Sequence, residues 1–298
     1  MRLLLPLLHI LQYALIRLVM ALYAIVPANK AYSLGRCLAS SFYPLFKKRR
    51  RIAINNIMKS GITEDKQEAA RIAQASFCHF LGHLFEALKV SKVITEQNWK
   101  EHIVYSESDA ENWKTLMVDL ETPVMLITGH LGSWEAGVSI IPFTRPMMPI
   151  ARALDNPLLA RFLKKSQFRG NVTIISKKNG FSGDVIRLWK ATKSALTIVM
   201  DQHAGKSGVK VDFLGRPAWT HTSPARIHLA SGAPIVVGAF LREGLFKYRM
   251  IGEPAIHFTP TGNKEHDIEV LTAEMNKLLG NLIRKCPEQY LWMHNRWR

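Results

Sequence analysis

The sequence predicts an α/β protein with a mixed, mostly parallel central sheet, helices on both faces and an N-terminal membrane-anchor helix. From residue 122 onward, short apolar runs typical of strands alternate with segments of helical periodicity. Strands separated by helices need crossover connections, which cover both faces of a sheet. A nearly continuous apolar segment at residues 3–26 stands apart from this pattern, and 298 residues are ample for one large core.

The individual elements follow from hydrophobic periodicity and from helix start signals. We predict strands at 124–128, 147–151, 172–176, 196–200, 234–240 and 248–251, and helices at 64–90, 134–143, 157–168, 184–192, 224–230 and 267–285. Asn156 before Pro157 and Ser223 before Pro224, with Gly232 behind the second helix, are typical start and stop signals. No internal repeat or linker indicates a second globular domain.

The apolar segment at residues 3–26 is long enough to cross a bilayer, which takes about 20 helical residues. His9, Gln12 and Arg17 interrupt it, and an arginine is costly at the centre of a bilayer. A spanning anchor, a tilted helix lying in the interface and a helix buried on the domain all stay open. A cleaved signal peptide is disfavoured, because no small-x-small site closes the segment. The resulting division is an anchor at 1–28 and one globular domain at 29–298.

The net charge of +17, from 40 basic and 23 acidic residues, requires an acidic partner. Nucleic acid, an anionic membrane, a phosphorylated substrate and an acidic carrier protein all qualify. A basic run at 47–51 follows the apolar segment, whereas only Arg2 and the amino terminus precede it. This asymmetry favours an anionic membrane surface over nucleic acid and places the domain in the cytoplasm. The three scattered cysteines indicate a reducing compartment and provide neither a disulfide framework nor a zinc site.

The segment from Thr122 to Glu135 carries the most informative polar residues. An apolar strand ends at Gly129, and His130 and Glu135 follow on either side of a turn at Gly132. On one continuous helix, residues five positions apart would point in different directions, so the pair can meet only if the chain bends at Gly132. We therefore expect His130 to act as a general base whose imidazole is oriented by Glu135.

Polar residues also follow two further predicted strands. Arg152 follows the strand at 147–151, and Asp201 and Gln202 follow the strand at 196–200. In open α/β sheets, sites form beyond the carboxyl ends of the strands, so these residues and His130 are expected to converge.

Other mechanisms fit the sequence less well. The segment 180–184 approaches a nucleophile elbow but ends in Asp184, and both the phosphate loop and the dinucleotide fingerprint are absent from the sequence. Ser133 is expected to cap the following helix. His79, His83 and Glu86 share helical spacing, yet packing is a better explanation than metal binding, since no His-Glu-x-x-His pattern is present. Neither a metal nor an organic cofactor is expected.

The segment from Gly129 to Glu135 resembles the His-x4-Asp/Glu motif of glycerolipid acyltransferases, in the glutamate form of the lipid A late (lauroyl/myristoyl) acyltransferase family. The similarity extends in the family's order over nearly the whole chain. The other matching blocks are 49–56, 151–159, 201–202 with 211–218, 224–227 with 232–234, and 288–297.

The resemblance implies a membrane-bound O-acyltransferase of lipid A and lipopolysaccharide biosynthesis. It would move a fatty acyl chain from an acyl carrier protein or coenzyme A thioester to a hydroxyl of a lipid A precursor, at the cytoplasmic face of the inner membrane. Another acceptor lipid (a lysophospholipid, a phosphoinositide mannoside or an amino-acid lipid) stays open. His130 and Glu135 would be catalytic, and the expected substrate-binding residues are Arg152, Asn156, Asp201, Gln202 and Arg216. A groove for the acyl chain would have Trp134, Phe143 and Trp189 as candidate walls.

Overall fold

The computed structural model describes residues 4–151, 154–167, 171–176 and 183–298, and within them it confirms the α/β architecture. A seven-stranded sheet has the order β1-β9-β8-β2-β5-β3-β4, and a separate hairpin pairs β6 with β7. All neighbours in the large sheet are parallel except β8 and β9. The strands are β1 Ile103–Val104, β2 Val124–Thr128, β3 Met147–Ala151, β4 Ile175–Ser176, β5 Ala195–Val199, β6 Val209–Phe213, β7 Arg216–Thr220, β8 Ile235–Gly244 and β9 Lys247–Ile256.

Helices flank this sheet on both sides. They are α1 Leu4–Ala24, α2 Ala31–Phe42, α3 Lys47–Lys59, α4 Lys66–Val93, α5 Glu107–Met117, α6 Trp134–Ile140, α7 Pro157–Gln167, α8 Gly183–Thr192, α9 Ser223–Ser231 and α10 Lys264–Lys285. Two clusters of buried apolar side chains cover the two faces: Met125, Ile127 and Leu279 belong to one, and Leu126 and Trp113 to the other. Successive residues of β2 thus contribute to opposite faces, as the two-residue repeat of a strand requires.

The apolar helix α1 lies largely exposed on the domain. Residues Pro6–Ala24 form a span with mean hydropathy 1.6, of which 6% is buried. A buried core helix is therefore excluded for this segment. It contacts α7 and the residue before it: Arg17 lies 5.2 Å from the Phe162 ring centre, and the backbone carbonyl of His9 accepts from Asn156 at 2.9 Å.

The end of α1 is held by α4. The buried ammonium group of Lys89 donates to the carbonyls of Tyr23 and Ala24 at 3.0 and 3.1 Å. These carbonyls are among those that a helix end leaves without a partner, and a cation there also complements the helix dipole.

Several predicted boundaries differ from the observed ones. The strands predicted at 234–240 and 248–251 are longer, because they continue as an antiparallel hairpin beyond the parallel part of the sheet. Only Ile175–Ser176 of the strand predicted at 172–176 pairs as a strand, on β3. The hairpin of β6 and β7 and the short β1 were not predicted. The end of the helix predicted at 157–168 lies outside the described residues.

Candidate functional site at the carboxyl edge of the sheet

The centre of the candidate site is a pair formed by His130 and Asp201. Strands β2 and β5 are parallel neighbours, with Thr128 opposite Val199, so the residues that follow each strand come out side by side. The Asp201 carboxylate accepts two hydrogen bonds of 2.9 Å, one from the backbone N–H of His130 and one involving its ring Nδ1. The predicted convergence of His130 and Asp201 is confirmed. Arg152, the third expected member, lies outside the described residues.

Burial and charge act in opposite directions on this pair. Burial alone would lower the pKa of His130, but the nearby Asp201 carboxylate and its hydrogen bond outweigh this effect and raise the pKa, with a smaller contribution from Glu135. Burial would likewise raise the pKa of Asp201, yet its interactions with His130 hold it below the usual value. Asp201 therefore stays ionised beside the imidazole.

Glu135 occupies a different place from the one expected. The predicted bend is present, since Gly132 has φ +65° and a β-carbon there would lie 2.1 Å from the Phe240 carbonyl oxygen. However, Glu135 in the first turn of α6 faces α4, where its Oε2 lies 3.1 Å from Nδ1 of the buried His83. The carboxylate that holds the His130 ring is thus Asp201. This corrects the expected pairing, because the neighbouring strand brings a carboxylate closer than the following helix does.

The C-terminal segment is hydrogen-bonded to the loop that contains His130 and Gly132. The backbone N–H of Leu291 donates to the His130 carbonyl at 3.0 Å, and that of Gly132 donates to the Gln289 carbonyl at 3.0 Å. Tyr290 is buried, and the nearby Asp201 carboxylate, together with burial, raises the pKa of its hydroxyl; the charge of Arg296 also acts on this carboxylate. Tyr290 and Arg296 were not singled out individually from the sequence. Their only signal was the matching block 288–297.

Of the remaining described candidates, Gln202 contacts His130, whereas Arg216 and Asn156 make other contacts. Nε2 of Gln202 lies 3.5 Å from His130 Nε2. Arg216 stacks on Trp297, with 4.4 Å between the guanidinium and the ring centre, in the β6–β7 hairpin. Asn156 caps α7 by accepting from the backbone N–H groups of Leu158 and Leu159, and its amide donates to α1. The described contacts of Arg216 and Asn156 therefore hold parts of the fold together.

The neighbouring polar residues on α4 are packed, as expected from the sequence. Nε2 of His79 lies 3.1 Å from the Gly132 carbonyl oxygen, and Glu86 receives two hydrogen bonds from Arg242 at 2.9 and 3.0 Å. Both residues are at least 95% buried. In the described part of the chain, no group of three His, Cys, Asp or Glu side chains is arranged to hold a metal ion. Ser133 precedes α6, but its hydroxyl forms no capping hydrogen bond, contrary to expectation.

Two cavities lie beside the pair. An apolar cavity of about 280 Å³ is lined by residues that include Ala87, Trp113, Trp134, Glu135 and Phe240. A second cavity of about 720 Å³ contains His130, Gln202 and Arg226 in its wall. Ile150 and Val199 line both cavities, which are therefore adjacent.

The three aromatic residues expected along an acyl groove are separated in the structure. Trp134 lines the apolar cavity, and its ring centre lies 5.1 Å from that of His130. Trp189 is fully buried and donates to the Ser194 carbonyl at 2.8 Å. Phe143 stacks on Trp99. Only Trp134 of these three contributes to the wall.

Comparison with known proteins defines the class to which this fold and site belong. A family of bacterial lipid A biosynthesis acyltransferases matches residues 4–298. The chain is therefore a transferase of acyl groups. It belongs to the bacterial lipid A biosynthesis acyltransferase family.

Individual relatives agree with this assignment. The chain is 24% identical over 273 residues to a lipid A biosynthesis palmitoleoyltransferase of Escherichia coli K12, covering 89% of this chain and 84% of the relative. It is 28% identical over 180 residues to a lipid A biosynthesis lauroyltransferase of the same organism, covering 59% and 56%. A lipid A biosynthesis acyltransferase of Haemophilus influenzae is 26% identical over 207 residues, covering 67% and 63%.

Proposed function

We propose that the protein transfers a fatty acyl chain from a thioester to a hydroxyl group of a lipid A precursor, with His130 as the general base. The observation that carries this proposal is the His130–Asp201 pair beside two adjacent cavities, one of them apolar and the larger one with His130 in its wall. Such a site can bring a hydrocarbon chain and a polar acceptor to the same basic nitrogen. Family membership supports the same acceptor class.

The hydrogen bonds of His130 support one tautomer of its ring. Asp201 is ionised and can only accept, so Nδ1 carries the proton that it shares with this carboxylate. Nε2 is then free to accept, which agrees with the side-chain amide of Gln202 approaching it at 3.5 Å. An acceptor hydroxyl that replaces Gln202 at this nitrogen would donate its proton to Nε2.

The reaction then balances without a cofactor. As Nε2 takes the proton, the acceptor oxygen bonds to the thioester carbonyl carbon, and the carbonyl electrons move onto oxygen. When the carbonyl re-forms, the carbon–sulfur bond breaks, and the thiolate takes the proton from the imidazolium. Asp201 stabilises this imidazolium, as a buried carboxylate does in other histidine-based sites. Glu135 adds negative potential from the cavity wall.

The apolar cavity is proposed to hold the acyl chain. Its wall combines Trp134, beside His130, with the buried Trp113 and Phe240. An alkyl chain in this cavity would gain about 0.8 kcal/mol for each buried methylene. Arg152 is proposed to stabilise the thioester oxyanion or a headgroup phosphate. The thioester donor is proposed to be acyl carrier protein, with coenzyme A as the other candidate.

The proposed location is the cytoplasmic face of the inner membrane. Residues 1–28 would form the anchor and residues 29–298 the catalytic domain. The exposed apolar surface of α1 and the basic residues that follow it support this arrangement.

The experiment that tests this function combines membranes containing the protein with labelled acceptors and acyl thioesters. Lipid A precursors, lysophospholipids, phosphoinositide mannosides and amino-acid lipids are compared, each with acyl carrier protein and coenzyme A donors. Transfer to a lipid A precursor is expected. Transfer to a different lipid alone would contradict the acceptor and leave the acyltransferase class in place.

A further inference from the structure

An exposed apolar turn precedes the basic start of α3. Phe42, Leu45 and Phe46 are 50%, 73% and 46% exposed. Five consecutive cations follow at Lys47, Lys48, Arg49, Arg50 and Arg51, and we refer to residues 42–51 as the basic turn. Large apolar side chains next to unpaired cations are typical of segments that lie in a membrane interface.

The basic turn is surrounded by positive charge. The first carboxylate in the sequence is Glu64, so none occurs in residues 1–63. A surface groove of about 690 Å³ is lined by Lys47, Lys48, Arg50, Arg51 and Lys66 and by no acidic residue. Among the salt bridges formed by described residues, none involves a cation of the basic turn. These charges are available to an anionic surface.

The basic turn is fixed to the domain in spite of its exposure. Tyr43, inside the turn, is buried, with its ring centre 5.3 Å from that of Phe77 on α4. Arg49 donates to the Met293 carbonyl at 3.2 Å, which ties the start of α3 to the segment that supports His130. The exposed apolar side chains thus lie on a turn that is packed against the domain. Arg49 links this turn to the C-terminal segment, which in turn contacts the loop of His130.

We propose that the basic turn is a second membrane contact, separate from α1. Phe42, Leu45 and Phe46 enter the headgroup region of an anionic bilayer, and the cations lie against the lipid phosphates. The end of α1 contacts α4 at Lys89, whereas the basic turn contacts it at Phe77. Two contacts twelve residues apart on one helix are separated by about 18 Å, which is enough to fix how the domain faces the bilayer.

This inference rests on the membrane attachment proposed above and is independent of the acyl acceptor. An acidic carrier protein would also be attracted by the cations. The bilayer is favoured because the exposed apolar side chains lie beside the charges and because the same acid-free region contains α1.

The test measures how deeply three single labels enter vesicles containing the full chain. A fluorophore is attached at Leu45→Cys, Leu15→Cys or Val118→Cys in a Cys37→Ser, Cys286→Ser background, which leaves only the buried Cys78. Leu15 on α1 and Val118 at the end of α5 are 61% and 68% exposed, so they are matched controls. The vesicles contain equal parts of phosphatidylglycerol and phosphatidylcholine, with nitroxide-labelled acyl chains as the quencher.

We expect quenching at positions 45 and 15 but not at 118. In vesicles of phosphatidylcholine alone, quenching at 45 is lost and quenching at 15 persists. Each lysine of the turn changed to glutamine is expected to weaken docking about fivefold. Quenching at 15 without quenching at 45 would overturn the inference and leave the anchor intact. No quenching at either position would overturn both the membrane contact of the basic turn and the anchoring by α1. Protection of position 45 only after adding acyl carrier protein would instead identify a protein-binding surface.

Discussion

The carboxylate of Asp201 holds His130 at two points, its backbone N–H and its ring Nδ1, each at 2.9 Å. One oxygen thereby fixes the loop and the other fixes the imidazole. Asp201 is 97% buried, whereas the His130 side chain is 20% exposed. The carboxylate that orients the ring is therefore shielded from solvent, whereas the imidazole is accessible. A general base needs this accessibility, because it must reach the proton of its substrate.

Replacing Asp201 with asparagine removes the charge and keeps the shape. Because the carboxylate raises the pKa of His130, the pKa should fall in Asp201→Asn, and the acid limb of the pH–rate profile should move to lower pH. The maximal rate should fall by about 10²-fold or more, since the imidazolium loses its stabilising charge and the ring its orientation. An unchanged acid limb would show that His130 does not govern it.

Glu135→Gln should act on the same profile more weakly. Glu135 contributes to the pKa of His130 through charge alone, whereas Asp201 also forms a hydrogen bond. We therefore expect a smaller acid shift than in Asp201→Asn. The pH dependence of kcat/KM in the two variants, measured side by side, makes the comparison. A larger shift in Glu135→Gln would assign the main electrostatic role to Glu135.

Enlarging Ala87 should shorten the acyl chain that the enzyme prefers. Ala87 lines the apolar cavity, and leucine at this position would occupy part of it. Each methylene displaced from the cavity should lower selectivity for the longer chain about fourfold, since a buried methylene contributes about 0.8 kcal/mol. Competition between thioesters of different length measures this ratio. Ala230→Leu, in the wall of the second cavity, is the matched control and should leave the ratio unchanged.

His79 should make the protein sensitive to acid. Burial, with a smaller contribution from His83, lowers the pKa of His79 to about 3, so the folded protein keeps it neutral. The unfolded chain takes up this proton near the ordinary pKa of about 6.5, so stability falls as the pH drops below that value. The expected loss between about pH 7 and pH 5 is about 2 kcal/mol.

Thermal unfolding in detergent at these two pH values measures that loss. His79→Gln should show a smaller difference between them, although its stability near neutral pH is reduced by weaker packing. The exposed His257→Gln is the control and should behave like the unchanged protein. If His79→Gln lost as much stability between the two pH values as the unchanged protein does, His79 would not be the source of the acid sensitivity.

The sequence predicts those parts of the fold that depend on local patterns. The strands Val124–Thr128 and Met147–Ala151 have their predicted bounds, because each is an apolar run that ends at polar residues. The β6–β7 hairpin was missed, although buried residues alternate along it and its turn at Leu214–Gly215 has positive φ angles. A two-residue turn between alternating segments was the available signal.

The candidate site could be located from the sequence, but its contacts could not. Polar residues at the strand ends correctly indicate the carboxyl edge of the sheet as the location of the site. The choice of Asp201 over Glu135 as the partner of His130 depends on β5 lying next to β2, and strand order cannot be read from local patterns. The positions of Tyr290 and Arg296 near Asp201 likewise depend on the path of the C-terminal segment, which local patterns do not give.

The central claim is tested most directly by acyl transfer in His130→Ala, compared with the unchanged protein and His257→Ala in the same membranes. Initial rates are measured with saturating thioester and the preferred acceptor, with equal amounts of folded protein confirmed beforehand. Loss of the general base should reduce the rate by about 10²- to 10⁴-fold in His130→Ala alone. Equal rates in all three proteins would contradict the proposed mechanism.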